Sequence, residues 1–412
     1  MAAVGHVMII GAGLAGLALA QALIKHGLAS QVSIYERDHH SDYRPQGYRI
    51  KIFPDTVAHV RYILTDEMWH EFENSCAETV MGESTINALS ASLISSRALR
   101  GTRPYTVDRA VFRKVLTRGL EDKIHWGKTF QRYVVNGDTV TAYFEDGSEA
   151  TGALLVGADG GRSLIRYQHV PDFKIIDPEG CCIFGKTPIT EELKQRVLPK
   201  ALQWFVVLRD TAPVIQEVIW NSDLPVTMFV EKMHFPGRGK TQTELPEDYV
   251  YWAILFPTKL VGMTEEAVHA AMQKPSKELG LMLTSEWDPS LRCLLELQDD
   301  SQGAAIRIIS SGTDLPLWAP SDKVVLIGDA VHVMSPGGGV GVATALKDAA
   351  TLTQQLVQGG LSVTSIGSYE TTMREYAEAS IKRSFRGGEK FFGQPPVAQC
   401  KEVFFKASPG GD

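Results

Sequence analysis

Cysteine is scarce in this chain: five in 412 residues, at Cys76, Cys181, Cys182, Cys293 and Cys400, with no Cys-x-x-Cys pair and an odd total. That excludes a disulfide framework, and with no cleavable leader in view the expectation is a reducing, cytoplasmic setting with the thiols buried as apolar residues. Histidine is sparse too. The eleven are scattered without a His-Glu-x-x-His, and the pair His39-His40 sits in a polar stretch with no ligand set nearby, so no metal site is expected. Basic excess is lacking: 41 lysines and arginines stand against 48 acids, a net charge of −7, and they are dispersed. This leaves no field for nucleic acid. Residues 7–24 carry no formal charge and invite a membrane reading, but glycines at nucleotide-binding spacing interrupt them, and no integral membrane segment is expected. No internal repeat or low-complexity tract is evident.

What remains is an ordinary globular balance, 44% hydrophobic and 22% charged, with length enough for two cores. Gly11-Ala12-Gly13-Leu14-Ala15-Gly16 follows the apolar run 7–10 and precedes a helical stretch from Leu17. Glycines so spaced allow a tight turn, close approach of backbone to a pyrophosphate, and tight packing of helix on strand. A second apolar strand, 31–35, ends at Glu36, where a carboxylate accepts from the hydroxyls of an adenosine ribose. The fingerprint serves NAD and FAD alike, so by itself it leaves that choice open.

Two further segments narrow it. Residues 153–166 run from a buried strand into Gly157-Ala158-Asp159-Gly160-Gly161-Arg162, and residues 324–332 end a strand at Gly328-Asp329 before Pro336-Gly337-Gly338-Gly339-Val340-Gly341. The three motifs, in this order, resemble the class A flavin-dependent monooxygenases, the family that includes the para-hydroxybenzoate hydroxylases. Tyr105 to Arg109 with Phe112 to Leu116, and Tyr369-Glu370 with Met373-Arg374, extend the resemblance over nearly the whole chain.

The resemblance implies an α/β fold: a Rossmann-like FAD-binding domain, an inserted antiparallel-sheet substrate domain and C-terminal helices. The expected division is FAD-binding 1–176, with 62–101 partly helical and a candidate cover for the substrate site. Substrate-binding 177–309 follows, then FAD-binding 310–360 and a C-terminal helix and tail, 361–412. Noncovalent FAD, NADH or NADPH as reductant, O2 and a small-molecule substrate are implied, in a monomer or homodimer. The implied reaction inserts one oxygen atom, through a flavin C4a-hydroperoxide, into a largely apolar aromatic, polyketide-like or alkaloid molecule of secondary metabolism. The alternatives are another FAD oxidoreductase, a halogenase, or a non-catalytic flavin-binding protein. Tyr251-Trp252-Ala253-Ile254 resembles the halogenase segment Trp-x-Trp-x-Ile-Pro only loosely.

Residue by residue, the resemblance assigns the cofactor to Gly11, Gly13, Gly16, Glu36, Arg37, Gly47, Arg49, Arg109, Asp159, Gly160, Gly328, Asp329, Pro336, Gly339, Val340, Gly341 and Val342. Asp329 would hold the ribityl hydroxyls, and the helix starting near Gly341 would face the negative charge of the reduced ring. Pro336 and Arg49 are the candidates nearest the chemistry. Arg49 alternates with Lys51 among apolar neighbours and fits three readings: a flavin contact, a contact to an anionic substrate, or a solvated strand face. His332 reads as packing within its turn. Val340, Ala343 and Lys347 depart from the family's polar residue, asparagine and glutamate.

From residue 177 to 309 the pattern becomes strands at 182–186, 202–208, 214–220, 226–232 and 249–256, then helices at 264–273 and 277–284. The candidate substrate wall is Phe184, Trp204, Trp220, Met228, Phe229, Trp252 and Leu255. Strand alternation sends about half of such a set to the opposite face, so Met228 or Phe229 belongs to the wall, but not both.

Overall fold

Strands buried on both faces read as unbroken apolar runs, and such runs form the central sheet. A computed structural model describes residues 4–40, 47–210, 225–262 and 264–403. Its central sheet has five parallel strands in the order Val324–Leu326, Leu154–Gly157, His6–Ile10, Gln31–Glu36, Ile124–Trp126. Helices Leu14–Lys25 and Gly341–Gly359 pack together on this core, and an antiparallel meander, Phe130–Asn136, Thr139–Phe144 and Glu149–Gly152, lies beside it. The register sets Ile10 beside both Gly157 and Tyr35, and Gly157 beside Leu326. The three glycine-bearing motifs and Glu36 therefore leave the carboxyl edge of one sheet side by side, where ligands of open α/β sheets bind.

The second sheet has seven strands in the order Ala304–Arg307, Gly180–Pro188, Tyr249–Pro257, Thr227–Met233, Phe205–Arg209, Gly82–Asn87, Leu93–Ala98. One face carries Cys181, Ile183, Met228, Val230, Trp252 and Ile254 into a core shared with helices Glu265–Met272, Ser276–Leu283 and Pro289–Glu296. The other carries Cys182, Phe184, Tyr249, Tyr251 and Leu255, toward the nucleotide half. Ser310–Ser311 pairs with Ile175–Asp177, so the chain re-enters the first core beside the point where it left.

Several expected elements shift. Residues 62–101 are partly helical, at the end of Pro54–Ile63 and over Asp66–Ser75, while Gly82–Asn87 and Leu93–Ala98 are strands of the second sheet. The inward positions of Gly82–Asn87 are Gly82, Ser84 and Ile86, too small and polar to show an apolar alternation. The strand expected from residue 202 begins at Phe205, because Pro199–Leu202 is a 3-10 turn. Helix Pro289–Glu296, capped by Asp288 with proline in its first turn, was not foreseen. The expected strand 214–220 and Trp220 lie outside the described residues. Helix Gly341–Gly359 stops at Gly360, whose φ of 65° suits a glycine. Val363–Phe392 then runs 30 residues. All five cysteines are unpaired; four are buried and Cys400 is half-buried. No described helix is long and apolar enough to cross a membrane.

Candidate functional site

The three fingerprint glycines have three separate uses. Gly11 has φ of 109°, and a Cβ there would overlap the Ala158 carbonyl. At Gly16 a Cβ would strike the Gly11 carbonyl, so this glycine is a packing residue beneath the turn. Gly13 faces open space, with nothing within 4 Å of an added Cβ. Helix Leu14–Lys25 starts there without a side-chain cap or an acid in its first turn, leaving its N–H groups and positive end to the opening. Glu36 steadies the turn, accepting from Ala12 N at 2.8 Å and Asp38 N at 3.0 Å.

A cleft of about 300 Å³ opens here and brings together Gly11, Gly13, Glu36, Arg37, Arg109, Asp159 and Gly160. Five cations line it, Arg37, Arg109, Arg113, Lys128 and Arg162, against the carboxylates of Glu36, Asp38 and Asp159. Asp159 Oδ2 caps helix Leu164–His169 through Leu164 N at 2.9 Å, while its Oδ1 is buried without a partner among the described residues. An uncapped helix start, a glycine with room for a ligand, surplus positive charge and an orphaned acceptor fit a dinucleotide diphosphate and its polar chain.

Sequence reasoning passed over what ties the motifs together. Arg166 is fully buried, donating from Nη1 to Ala330 O and from Nη2 to Gly161 O, both at 2.8 Å. It fastens the midchain turn to the late one. Asp348, also fully buried, accepts from Gly328 N at 2.6 Å, His332 Nε2 at 2.7 Å and Tyr376 OH at 2.7 Å. Burial pushes the His332 imidazole down in pKa, but the Asp348 charge and hydrogen bond outweigh it and the net shift is upward. His332 is thus a buttress of the turn, as its sequence position suggested. A reading confined to the three motifs offers no signal for Asp348, which lies about two turns into helix Gly341–Gly359.

Asp329 is exposed at the mouth of this turn, yet protein packed around it pushes its carboxyl up, against the pull of His332 and Arg109. Pro336 and Gly339 are exposed nearby, and Val340, Gly341 and Val342 open the helix, where the first N–H groups lack intrahelical acceptors. Gly339 carries the left-handed backbone, with φ of 62°. Gly337 and Gly338 abut Ser384, Gly387 and Gly388, so these glycines serve close packing on the long helix. Lys347 Nζ lies 4.2 Å from the centre of the Tyr376 ring.

The second sheet's register divides the candidate wall. Met228 and Trp252 face the helical cover and belong to its core, which corrects their assignment to the substrate; Trp252 Nε1 donates to Thr187. Trp204 packs over Gly82 at the sheet edge and donates to Ser84 Oγ at 2.6 Å, so it too leaves the wall. Phe184, Phe229 and Leu255 face the nucleotide half. Phe229 stacks on Phe205 at 5.7 Å and meets Phe391 of the long helix edge-on at 4.8 Å. Phe205, Tyr251 and Phe391 are wall residues that sequence did not single out. Gly47 lies against Lys186, and Arg49 is no solvated face: its side chain is 15% exposed and paired with Glu231. Among the described residues no cluster of His, Cys, Asp and Glu is arranged to hold a metal.

Residues 5–249 and 319–384 match the family described as FAD binding domain. A dual O-methyltransferase/FAD-dependent monooxygenase of Cercospora beticola is 41% identical over 97% of this chain and 48% of its own length. The chain thus spans about half the length of that relative and of a similar one from Phaeosphaeria nodorum. An FAD-dependent monooxygenase of Talaromyces islandicus is 34% identical over 92% of this chain and 89% of its own. A crystal structure from Photorhabdus luminescens, assigned as an FAD-containing monooxygenase, superimposes with a TM-score of 0.74 at 27% identity, covering 93% of this chain and 98% of that one. The 2,6-dihydroxypyridine-3-hydroxylase of Arthrobacter nicotinovorans shares the fold, with a TM-score of 0.73 at 16% identity over 98% of this chain and 99% of that one. With three motifs on one sheet edge and these relatives, the chain belongs to the FAD-dependent, para-hydroxybenzoate hydroxylase-like monooxygenase family, and FAD is its cofactor.

Proposed function

We propose that this chain is an NAD(P)H-driven monooxygenase that inserts one oxygen atom from O2 into a small, largely apolar substrate of aromatic, polyketide-like or alkaloid type. The observation that carries the reading is the meeting of three glycine-bearing motifs, two of them with an acid, at one sheet edge, opposite an aromatic face of a second sheet. FAD, bound noncovalently, supplies hydride acceptance and oxygen activation; the protein supplies position, charge and exclusion of water. Gly13 and the helix start behind it would hold the diphosphate, with Arg37 and Arg109 balancing its charge and Glu36 accepting from the ribose. Asp159 and Gly160 would meet the linking chain, and Asp329, beyond Gly328, would accept from the ribityl hydroxyls. Gly47 and Pro336 would border the ring. Gly339 would turn the chain so that the N–H groups at Val340, Gly341 and Val342 oppose the negative charge of the reduced ring, without the family's asparagine. Phe184, Phe229 and Leu255 would keep water from the reacting face.

The corresponding division is FAD-binding 1–176 and 310–360 around a substrate unit 177–309, then a C-terminal helix and tail, 361–412, of which helix Val363–Phe392 borders the chamber through Phe391. Two strands within 62–101 belong to the substrate unit's sheet. The relatives named as monooxygenases support the reaction class. The test is a screen for compounds that accelerate NADH or NADPH oxidation, with mass spectrometry under labelled oxygen. The expected product carries one labelled atom. Peroxide without incorporation, across compounds that bind, would favour a flavin oxidoreductase.

A further inference from the structure

Strand Arg49–Ile52 buries Ile50 and Ile52 and turns Arg49 and Lys51 toward the second sheet. Glu231, on strand Thr227–Met233, answers both: its Oε2 lies 3.1 Å from Arg49 Nε and its Oε1 2.5 Å from Lys51 Nζ. Lys51 also donates to Thr106 Oγ1 at 2.6 Å. Beside them Asp108 takes Lys186 Nζ at 2.6 Å and the Tyr249 hydroxyl at 2.7 Å, and its other oxygen caps helix Arg109–Thr117. Two carboxylates therefore serve three cations: Asp108 is multiply bonded, while Glu231 accepts a hydrogen bond from Lys51 and its Oε2 meets Arg49 Nε as an ion pair without a hydrogen bond.

The surplus rests on Arg49. Lys51 and Lys186 each have a short ionic hydrogen bond, whereas no Nη of Arg49 hydrogen-bonds to any described residue. Its guanidinium lies 5.1 Å from the Phe205 ring centre and 5.8 Å from that of Tyr251. Burial, against the pull of Glu231 and with repulsion from Arg49, pushes the Lys51 ammonium down to about 8, so one carboxylate does not saturate the pair. Little of the Arg49 side chain reaches solvent, and its Nε is buried without a hydrogen-bond partner among the described residues; the planar fork of its Nη groups suits a planar oxyanion. Flanking rings suit a flat body attached to that oxyanion.

We propose that Arg49 selects the substrate as a conjugated anion, a phenolate or enolate on a flat ring system, held between the nucleotide half and the Phe205–Tyr251 face. The rival use of the charge is to stabilise the reduced flavin. The two rings beside the guanidinium belong to the substrate sheet, and Arg49 is turned toward them, which favours the substrate. This inference rests on the monooxygenase reading in taking the chamber as a substrate site, but its test needs neither reductant nor turnover.

The oxidised FAD-loaded protein is titrated calorimetrically with a hydroxynaphthoquinone, ionised at neutral pH, and with its neutral methyl ether. The parent should bind the anion at least about tenfold more tightly. Arg49→Gln should lose that preference while keeping its FAD content and reduction potential, and Arg49→Lys, which keeps the charge without the fork, should retain part of it. Should Arg49→Gln fail to fold, Arg49→Lys decides: an undiminished preference contradicts the role of the fork. Equal affinity for the two probes, no binding of the anion, or a preference surviving in Arg49→Gln overturns the proposal. A shifted reduction potential with the preference intact assigns the charge to the flavin and overturns it as well. A failed labelled-oxygen experiment would strike the reaction class and leave these binding results standing.

Discussion

The nucleotide cradle and the aromatic wall use the chain in different ways. In the cradle the backbone acts: Gly11 and Gly16 admit carbonyls where a Cβ would overlap them, Gly13 leaves room, and Glu36 and Asp159 at strand ends accept from N–H groups. In the wall side chains act, and each faces the chamber or the helical cover according to a two-residue alternation fixed by pairing with distant strands. Cradle mutations should therefore separate cofactor affinity from stability, while neighbouring wall mutations should have unlike effects.

The largest effect is expected at the buttress beneath the late turn of the cradle. Asp348→Ala leaves His332, Gly328 N and Tyr376 without their shared buried acceptor. Breaking a buried pair costs about 3–5 kcal/mol, so denaturant unfolding of the apoprotein should show a loss of that size, with weakened FAD binding. An unchanged midpoint would mean that the late turn holds its shape without Asp348.

The wall tests alternation at adjacent positions. Met228→Ala opens a void in the helical cover and should lose about 2–5 kcal/mol of stability, with little change in ligand binding. Phe229→Ala, half-buried on the other face, should cost less stability and weaken ligand binding. The reverse pattern in paired unfolding and binding titrations would put the sheet in the opposite register.

Asp329→Ala removes a charged acceptor worth about 1.5–3 kcal/mol per hydrogen bond. FAD affinity should fall on the order of tenfold or more, read by flavin fluorescence quenching, and Arg109→Ala should act in the same direction more weakly. Full affinity in a folded Asp329→Ala protein would misplace the ribityl chain.

The smallest effect lies at the strap between helix Asp66–Ser75 and the segment at Thr241 to Thr243. Burial pushes the Glu71 carboxyl up, but hydrogen bonds from Thr241, Thr243 and Gln242 outweigh it and hold it at about 2, against an ordinary 4.5. Its contribution to stability is present above 4.5 and lost as pH falls from there toward about 2. Glu71→Gln should flatten that part of the acid-unfolding curve; an unaltered curve contradicts the strap.

The same contrast decides how much was legible in the sequence. Gly11, Gly13, Glu36, Asp159 and Asp329 lie within a few residues of the strand ends that carry them, so local pattern located their sites on the fold. Met228 and Trp252 looked like wall residues by type, but their facing depends on a register set by strands far apart in the chain, and Trp204 was drawn off by Gly82. The polar strand Gly82–Asn87 showed no apolar alternation, and Arg166 and Asp348 act by reaching from one motif to another. Proximity in the chain marked the residues proposed to bind; proximity in space alone marked those that hold them in place.

Equilibrium FAD titration of Gly13→Ala and Gly16→Ala, each paired with thermal unfolding of the apoprotein, tests most directly that the cradle binds FAD through close backbone approach. Gly13 has open space beside it, so Gly13→Ala should leave apoprotein unfolding near the parent's while FAD affinity falls on the order of tenfold or more, because the methyl group occupies the diphosphate's place. Gly16→Ala, which meets the Gly11 carbonyl, should lower both. Parental FAD affinity in Gly13→Ala would contradict the account.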